Sequence, residues 1–178
     1  KIAGVLPGSI NDRGFVQFVY EGLVEGARRT GGEMDYSENV KHSDQEEAIR
    51  DYARRDYSII IGAGGEFVDA AKNAAREFPD TKFVVLNAPR TDGITTIAFN
   101  NDHFGYTLGY IAGKTSKTGS AGLVAGREIS AFLEFSGGFR KGMESARPDG
   151  KVLISYTNDW DDVAKAKSAA QNQISQGA

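Results

Sequence analysis

Two stretches of this chain carry side chains of the kind that grip a small polar molecule. The first, Pro7-Gly8-Ser9-Ile10-Asn11-Asp12-Arg13-Gly14, sets hydroxyl, amide and carboxylate groups just ahead of Phe15. The second, Asn158-Asp159-Trp160-Asp161-Asp162, flanks the only Trp with Asn and Asp. Flat rings supply dispersion and stacking, while amides and carboxylates fix hydroxyls or ring nitrogens by directional hydrogen bonds. That combination suits a sugar or a nucleobase. A third stretch, Gly62-Ala63-Gly64-Gly65-Glu66-Phe67, again sets a carboxylate beside an aromatic. Phe15 and Phe67 fit a first-turn core position as well as a ligand contact, whereas Trp160 favours stacking on a ligand.

Catalytic readings fail on the residues. Cysteine is absent, which removes thiol catalysis, disulfides and Cys-based zinc sites. The two histidines, His42 and His103, lack metal-ligand spacing. Gly62-Ala-Gly64-Gly65-Glu-Phe67 resembles a dinucleotide fingerprint but has Phe67 at its third glycine position. Gly109-Tyr-Ile-Ala-Gly113-Lys114-Thr115 is one residue short of a phosphate loop and falls inside a helix, so close helix packing is the expected role of its glycines. No Gly-x-Ser-x-Gly elbow and no paired nucleophile and base are visible. The aspartates at 159, 161 and 162 lack the spaced ligands of a calcium loop, and Asp161 or Asp162 serves as a helix cap. No cofactor and no metal are expected. The net charge of −3, without a basic stripe, argues against nucleic acid, and no apolar run approaches a membrane span.

The elements that must position these residues alternate. Apolar runs of strand length occur at Lys1–Leu6, Met34–Glu38, Tyr57–Gly62, Lys82–Asn87, Ile94–Phe99, Ser120–Ala125 and Val152–Tyr156. Helical periodicity fills the gaps. Phe15, Val19, Leu23 and Ala27, with Phe18 and Val24 beside them, form one face that ends at Gly31-Gly32. Ser43-Asp-Gln-Glu46 reads as a capping box for a helix that turns Ile49, Tyr52 and Ala53 inward. Further helices are expected at about 66–78, 102–117, 132–147 and 162–176. Tyr57–Gly62 and Lys82–Asn87 are apolar throughout, as strands covered on both faces are. The pattern is an α/β chain of doubly wound parallel sheets, whose ligands sit beyond the carboxyl ends of the strands. Gln176-Gly177-Ala178 stands where another buried strand is due, so the last lobe is expected to be incomplete.

The order and spacing of several segments resemble one family. They are Leu6-Pro-Gly-Ser-Ile-Asn-Asp-Arg-Gly-Phe-Val-Gln17, Gly62-Ala-Gly-Gly-Glu-Phe-Val-Asp-Ala70, Gly105-Tyr-Thr-Leu-Gly-Tyr-Ile-Ala-Gly113, Phe135-Ser-Gly-Gly-Phe-Arg-Lys-Gly142 and Tyr156-Thr-Asn-Asp-Trp-Asp-Asp162. Together they resemble the basic-membrane-protein, or PnrA-like, substrate-binding lipoproteins of ABC importers, with the periplasmic-binding-protein type 1 fold. The resemblance implies two lobes, 1–98 and a partial 99–178. They would close on a purine nucleoside, a purine base or a related polar solute, which passes to a membrane permease. An exported location, in the periplasm or on the cell surface, follows from it. It maps a polar and stacking set onto Asn11, Asp12 and Phe15, facing contacts onto the stretch around Trp160, and an acidic position onto Glu128. Ser9, Gly64, Phe67 and Asp161 complete the expected solute contacts. This chain has Val16, Gly65, Arg127 and Trp160 where the family often has Asn, an aromatic, Met and Phe. Two other classes share such a sheet: the effector-binding core of a transcription regulator, and an enzyme.

Overall fold

Short β-rich runs separated by amphipathic helices build a sheet only if each helix carries the chain back to start a parallel neighbour. The computed structural model describes residues Lys1–Ala178, and they divide into two units, Lys1–Phe99 and Asn100–Ala178.

In the first unit, five parallel strands stand in the order β2-β1-β3-β4-β5. These are β1 (Ile2–Val5), β2 (Met34–Ser37), β3 (Ile59–Gly62), β4 (Lys82–Leu86) and β5 (Thr95–Ile97), with helices α1 (Phe15–Thr30), α2 (Gln45–Arg54) and α3 (Val68–Glu77) between them. Helices α2 and α3 bury one sheet face in a core of Ala3, Val5, Ile49, Tyr52, Ile60, Phe67, Phe83 and Val85. On the opposite face, Leu6, Val16 and Ala63 form a smaller cluster with Val19 and Tyr20 of α1. Ile59, Ile61, Val84 and Leu86 point to this side and are only half-buried. The expectation that β3 and β4 are covered on both faces is therefore corrected: within this chain α1 alone serves the second face. A groove of about 510 Å³ remains there, lined by Ile2, Phe15, Phe18, Leu23, Ile61 and Leu86 among others.

Helix α1 buries Leu23 and Ala27 and half-buries Val19 as the periodicity implies, but Val16 takes the place expected for Phe15. Val16, Leu23 and Ala27 are buried, whereas Phe18 is 70% and Phe15 39% exposed. Gly31, at φ 64°, ends the helix in a left-handed cap whose N–H returns to the Ala27 carbonyl. Ile49, Tyr52 and Ala53 point inward as expected. The capping box at Ser43 does not form. A 3₁₀ turn, His42–Asp44, precedes α2, so Ser43 lies one residue ahead of the cap position, Asp44, and its hydroxyl donates to Asp44 Oδ1 at 2.8 Å. Glu46 is held instead by Asn73, at 3.0 Å, and by Arg50.

The second unit pairs β6 (Ser120–Ala125) with β7 (Lys151–Tyr156) in parallel, with α4 (Asn101–Thr115), α5 (Ser130–Ala146) and α6 (Val163–Ser175) around them. Its tightest feature is the α4–α5 contact. A Cβ added to Gly105 or Gly109 would fall on the carbonyl oxygen of Phe135 or Phe139, and one added to Gly138 or Gly142 would fall on that of Asp102 or Tyr106. At Gly113 it would come within 2.7 Å of Ala146 Cβ. The glycines recur every four residues on both helices, so the backbones meet without intervening side chains. Close packing is thus the role of the stretch that mimics a phosphate loop.

Gly137 and Gly138 are neighbours on α5, yet a Cβ at Gly137 meets nothing within 4 Å. Gly137→Ala is expected to stabilise by about 0.5–1 kcal/mol through helix propensity. Gly138→Ala is expected to destabilise by about 1–3 kcal/mol through overpacking. Urea unfolding of the two variants checks this, and a shift of the same sign in both would refute the interlock.

Candidate functional site

With the strand order 2-1-3-4-5, the chain reverses its winding between β1 and β3. The loops beyond the carboxyl ends of these strands flank the crevice where ligands of doubly wound sheets bind. Both loops contain expected site residues.

The loop after β1 is built around Asp12. Its carboxylate accepts the backbone N–H of Gly14 (2.7 Å), Val16 (3.1 Å) and Gln17 (3.1 Å), the last two in the first turn of α1. Asp12 thus caps a helix whose formal N-cap, Gly14, has no side chain to do so. Four further backbone donors of the loop are also held. Asn11 N–H donates to Ser9 Oγ at 3.2 Å, and Arg13 N–H donates to Gln17 Oε1 at 3.2 Å. Asp12 N–H donates to the Ser9 carbonyl at 3.2 Å. Ile10 N–H donates at 2.9 Å to Glu38 Oε2, at the end of β2. Arg13 takes a left-handed conformation, φ 54°, at the corner. The side chains of Asn11 and Phe15 are left facing outward.

In the loop after β3, Gly64 sits at φ 138°, ψ 152°, a conformation essentially confined to glycine. A Cβ at Gly62 would lie 2.6 Å from Phe67 Cβ, because the Phe67 ring turns back against the end of its own strand. Phe67 is fully buried. Of the two roles open to it, it takes the core one: it offers no ring face to a solute, and its expected ligand contact is corrected on that ground. Its N–H bonds the Gly64 carbonyl at 3.1 Å, which shapes the loop.

In the second unit, the loops after β6 and β7 are stitched together. Asn158, with φ 58°, donates its N–H to the Gly126 carbonyl at 2.7 Å. Trp160 lies across Gly126, where a Cβ would collide with the indole six-membered ring. The indole also meets Phe132 of α5 at 5.4 Å between centroids, tilted by 45°. The ring is therefore seated on its own unit and half-buried. Asp159 Oδ1 accepts the N–H of Asp161 (3.0 Å) and of Asp162 (3.1 Å), and Asp162 caps α6 through Lys165 N–H at 2.9 Å. The cap expected at Asp161 or Asp162 is Asp162. Asp161 and Glu128 are exposed. The backbone N–H groups of Asp161 and Asp162, with help from Lys165, hold the Asp159 carboxyl below its ordinary range. Lys165 N–H does the same for Asp162.

Two residues that position this site were not singled out from the sequence. Glu38 pins the first loop, and Gly126 seats the indole. A glycine directly after a strand was the available signal for Gly126; nothing local marked Glu38, whose partner lies 28 residues away. No group of three His, Cys, Asp or Glu is placed to hold a metal ion.

A carboxylate whose folded pKa is lowered contributes its hold above the unfolded value and loses it as pH falls through the folded one. The emission of Trp160, the only Trp, is therefore expected to stay constant down to the ordinary carboxylate range and to shift only below it. Asp159→Asn should give the shifted emission at neutral pH, and Gly126→Ala should displace the indole at every pH. Fluorescence titration reads all three, and a wild-type transition at or above the ordinary carboxylate value would contradict the Asp159 bonds.

Comparison with known proteins gives this geometry its context. The family model described as ABC transporter substrate-binding protein PnrA-like matches residues 1–178. The transcriptional activator protein Med of Bacillus subtilis is 29% identical over 180 residues, covering 100% of this chain and 56% of that protein. The ABC transporter nucleoside-binding protein BmpA of Lactococcus lactis is 28% identical over 174 residues, covering 94% of this chain and 50% of that protein. An ABC-transporter solute-binding protein from Aeropyrum pernix superposes with a TM-score of 0.87 at 21% identity, over 99% of this chain and 52% of its own. The chain spans about half the length of these relatives. A parallel α/β sheet with its polar loops at the strand ends and a family match over all 178 residues agree: the chain belongs to the PnrA-like substrate-binding proteins of ABC transporters, a family of binders and not of enzymes.

Proposed function

We propose that this chain is the recognition part of a solute receptor for an ABC importer, and that its solute is a purine nucleoside or a purine base. The observation that carries the reading is the pair of aromatic-bearing loops at the carboxyl ends of parallel strands, one in each unit. Each has an Asn-Asp pair, at 11–12 and 158–159, ahead of Phe15 and Trp160 respectively. In the full-length protein Phe15 and Trp160 would supply ring faces to the solute. The Asn11 amide would supply directional hydrogen bonds. Three backbone donors already occupy Asp12, and a carboxylate has about four acceptor positions, so one remains for a hydroxyl or ring N–H. Ser9, Gly64, Glu128 and Asp161 border the same loops and complete the proposed contact set. The nucleoside-binding BmpA of Lactococcus lactis supports the solute class.

The receptor would be exported, to the periplasm or cell surface, and would hand its solute to a membrane permease. No helix is long and apolar enough to cross a membrane. A second reading, an effector-binding module that acts in transcription, is favoured by the likeness to Med.

Calorimetry on the full-length protein with adenosine, guanosine, inosine and adenine tests the solute class. Binding of at least one is expected, and silence toward all four removes the purine reading. Trp160→Ala should weaken the binding by about tenfold or more, as loss of one base–aromatic stack does, with the circular dichroism spectrum unchanged.

A further inference from the structure

We propose that Asp12 is a specificity determinant that makes this site refuse phosphorylated solutes; the proposal rests on the solute-receptor reading above and deepens it. In doubly wound sheets the loop after β1 and the N-terminus of the following helix form the usual phosphate cradle. Free backbone N–H groups and the positive end of the helix point there at the anion. This chain keeps the cradle's position, at the β1–β3 switch, and its glycine-bearing loop. It fills the cradle with its own anion.

The two Asp12 oxygens stand on the N–H groups of Gly14, Val16 and Gln17, the donors a phosphate at the start of α1 would need. The next donor along the loop, Ile10 N–H, is taken by a second carboxylate, Glu38, at 2.9 Å. Asn11 and Arg13 N–H are taken by Ser9 and Gln17 side chains. A third carboxylate, Glu66, borders Gly64 on the neighbouring loop, where its Oε2 lies 2.9 Å from the position a Gly64 Cβ would take. Arg13, Lys41 and Asp12 itself are exposed, so solvent and salt screen cations and anion alike, and the discrimination rests first on the donors that the carboxylates already hold. A phosphate entering here finds the N–H groups of Ile10, Asn11, Arg13, Gly14, Val16 and Gln17 occupied and meets the Asp12 carboxylate at contact range. Neutral solutes, which need acceptors and ring faces, lose nothing by the arrangement. The site then separates a nucleoside from its phosphate ester by charge at the backbone, without a steric wall.

The test uses the full-length protein with adenosine, adenosine 5′-monophosphate and inorganic phosphate, by calorimetry and phosphorus NMR. Circular dichroism and urea unfolding monitor the fold. The wild type is expected to bind the monophosphate weaker than adenosine by on the order of tenfold or more, as a like charge at contact range requires, and to give no inorganic-phosphate titration. Asp12→Ser keeps a capping hydroxyl and removes the charge. It is expected to gain inorganic-phosphate binding and to narrow the nucleoside-to-monophosphate ratio by about fivefold or more. Asp12→Asn, closer in shape, takes its place where Asp12→Ser unfolds. A wild-type ratio near one overturns the proposal, and so does a folded Asp12 variant that takes phosphate no better than the wild type. If the wild type binds no nucleoside, the purine reading fails. The gain or absence of phosphate binding in the Asp12 variants still decides the role of Asp12.

Discussion

The carboxylate of Asp12 is the constraint on which the first unit's β1 loop and the start of α1 depend. A helix that starts directly after a loop leaves its first N–H groups without partners, and Gly14, at the formal cap position, has no side chain to supply one. Asp12 reaches forward to satisfy Gly14, Val16 and Gln17 together, and this fixes where α1 begins. The start of a helix sets its phase. With Phe15 as the first residue, Val16, Leu23 and Ala27 are buried on the sheet, and Phe15 and Phe18 line the open groove beside them. The aromatic presented at the edge and the apolar contacts behind it are two consequences of one capping arrangement.

A second regularity is the absence of Cβ atoms wherever something large or unyielding must come close. Gly62 admits the Phe67 ring, Gly126 admits the Trp160 indole, and the glycines of α4 and α5 admit each other's carbonyls. In the first case the result is a core residue that shapes a loop; in the second, an aromatic seated on its own unit. Interiors pack near crystal density, so a methyl group at any of these positions has nowhere to go. The glycine at the end of β3 or β6 therefore governs an aromatic several residues or several elements away.

Much of this fold was legible in the sequence because it is written in local patterns. The alternation of apolar runs and amphipathic segments placed every strand and helix, and Gly109 and Gly113 were read as packing glycines because a phosphate loop does not sit inside a helix. The failures came where a local rule met a packing or backbone detail that residue type does not record. The Ser43 box satisfies the local rule, but a 3₁₀ turn moves the helix start to Gln45, and Glu46 finds Asn73 on α3 more accessible than the cap. The apolar strands β3 and β4 were read as covered twice, yet apolarity states only what a strand can tolerate on each face, and α1 alone lies on the second one. Phe67 kept two roles open because position in a first turn does not say which way a ring turns. At the site, Asn11, Asp12 and Trp160 were visible by type, while Glu38 was not, since its hydrogen bond to Ile10 spans two strands.

The two candidate loops, in separate units, use the same construction. In each, an Asn-Asp pair leads; one residue at the corner, Arg13 or Asn158, takes a left-handed conformation; and the aspartate turns its carboxylate onto the backbone N–H groups that follow. Asp12, Asp159 and Asp162 are thus engaged in holding the chain, while Asp161 stays exposed. Under the proposed reading, a solute would meet the amide of an Asn, the face of an aromatic and the unused lone pair of a carboxylate beside the exposed Glu128 and Asp161. These groups recognise hydroxyls and heteroaromatic rings, and they offer little to an anion. The Asp12, Asp159 and Asp162 carboxylates are committed to structure in this way, which takes them out of any catalytic pair.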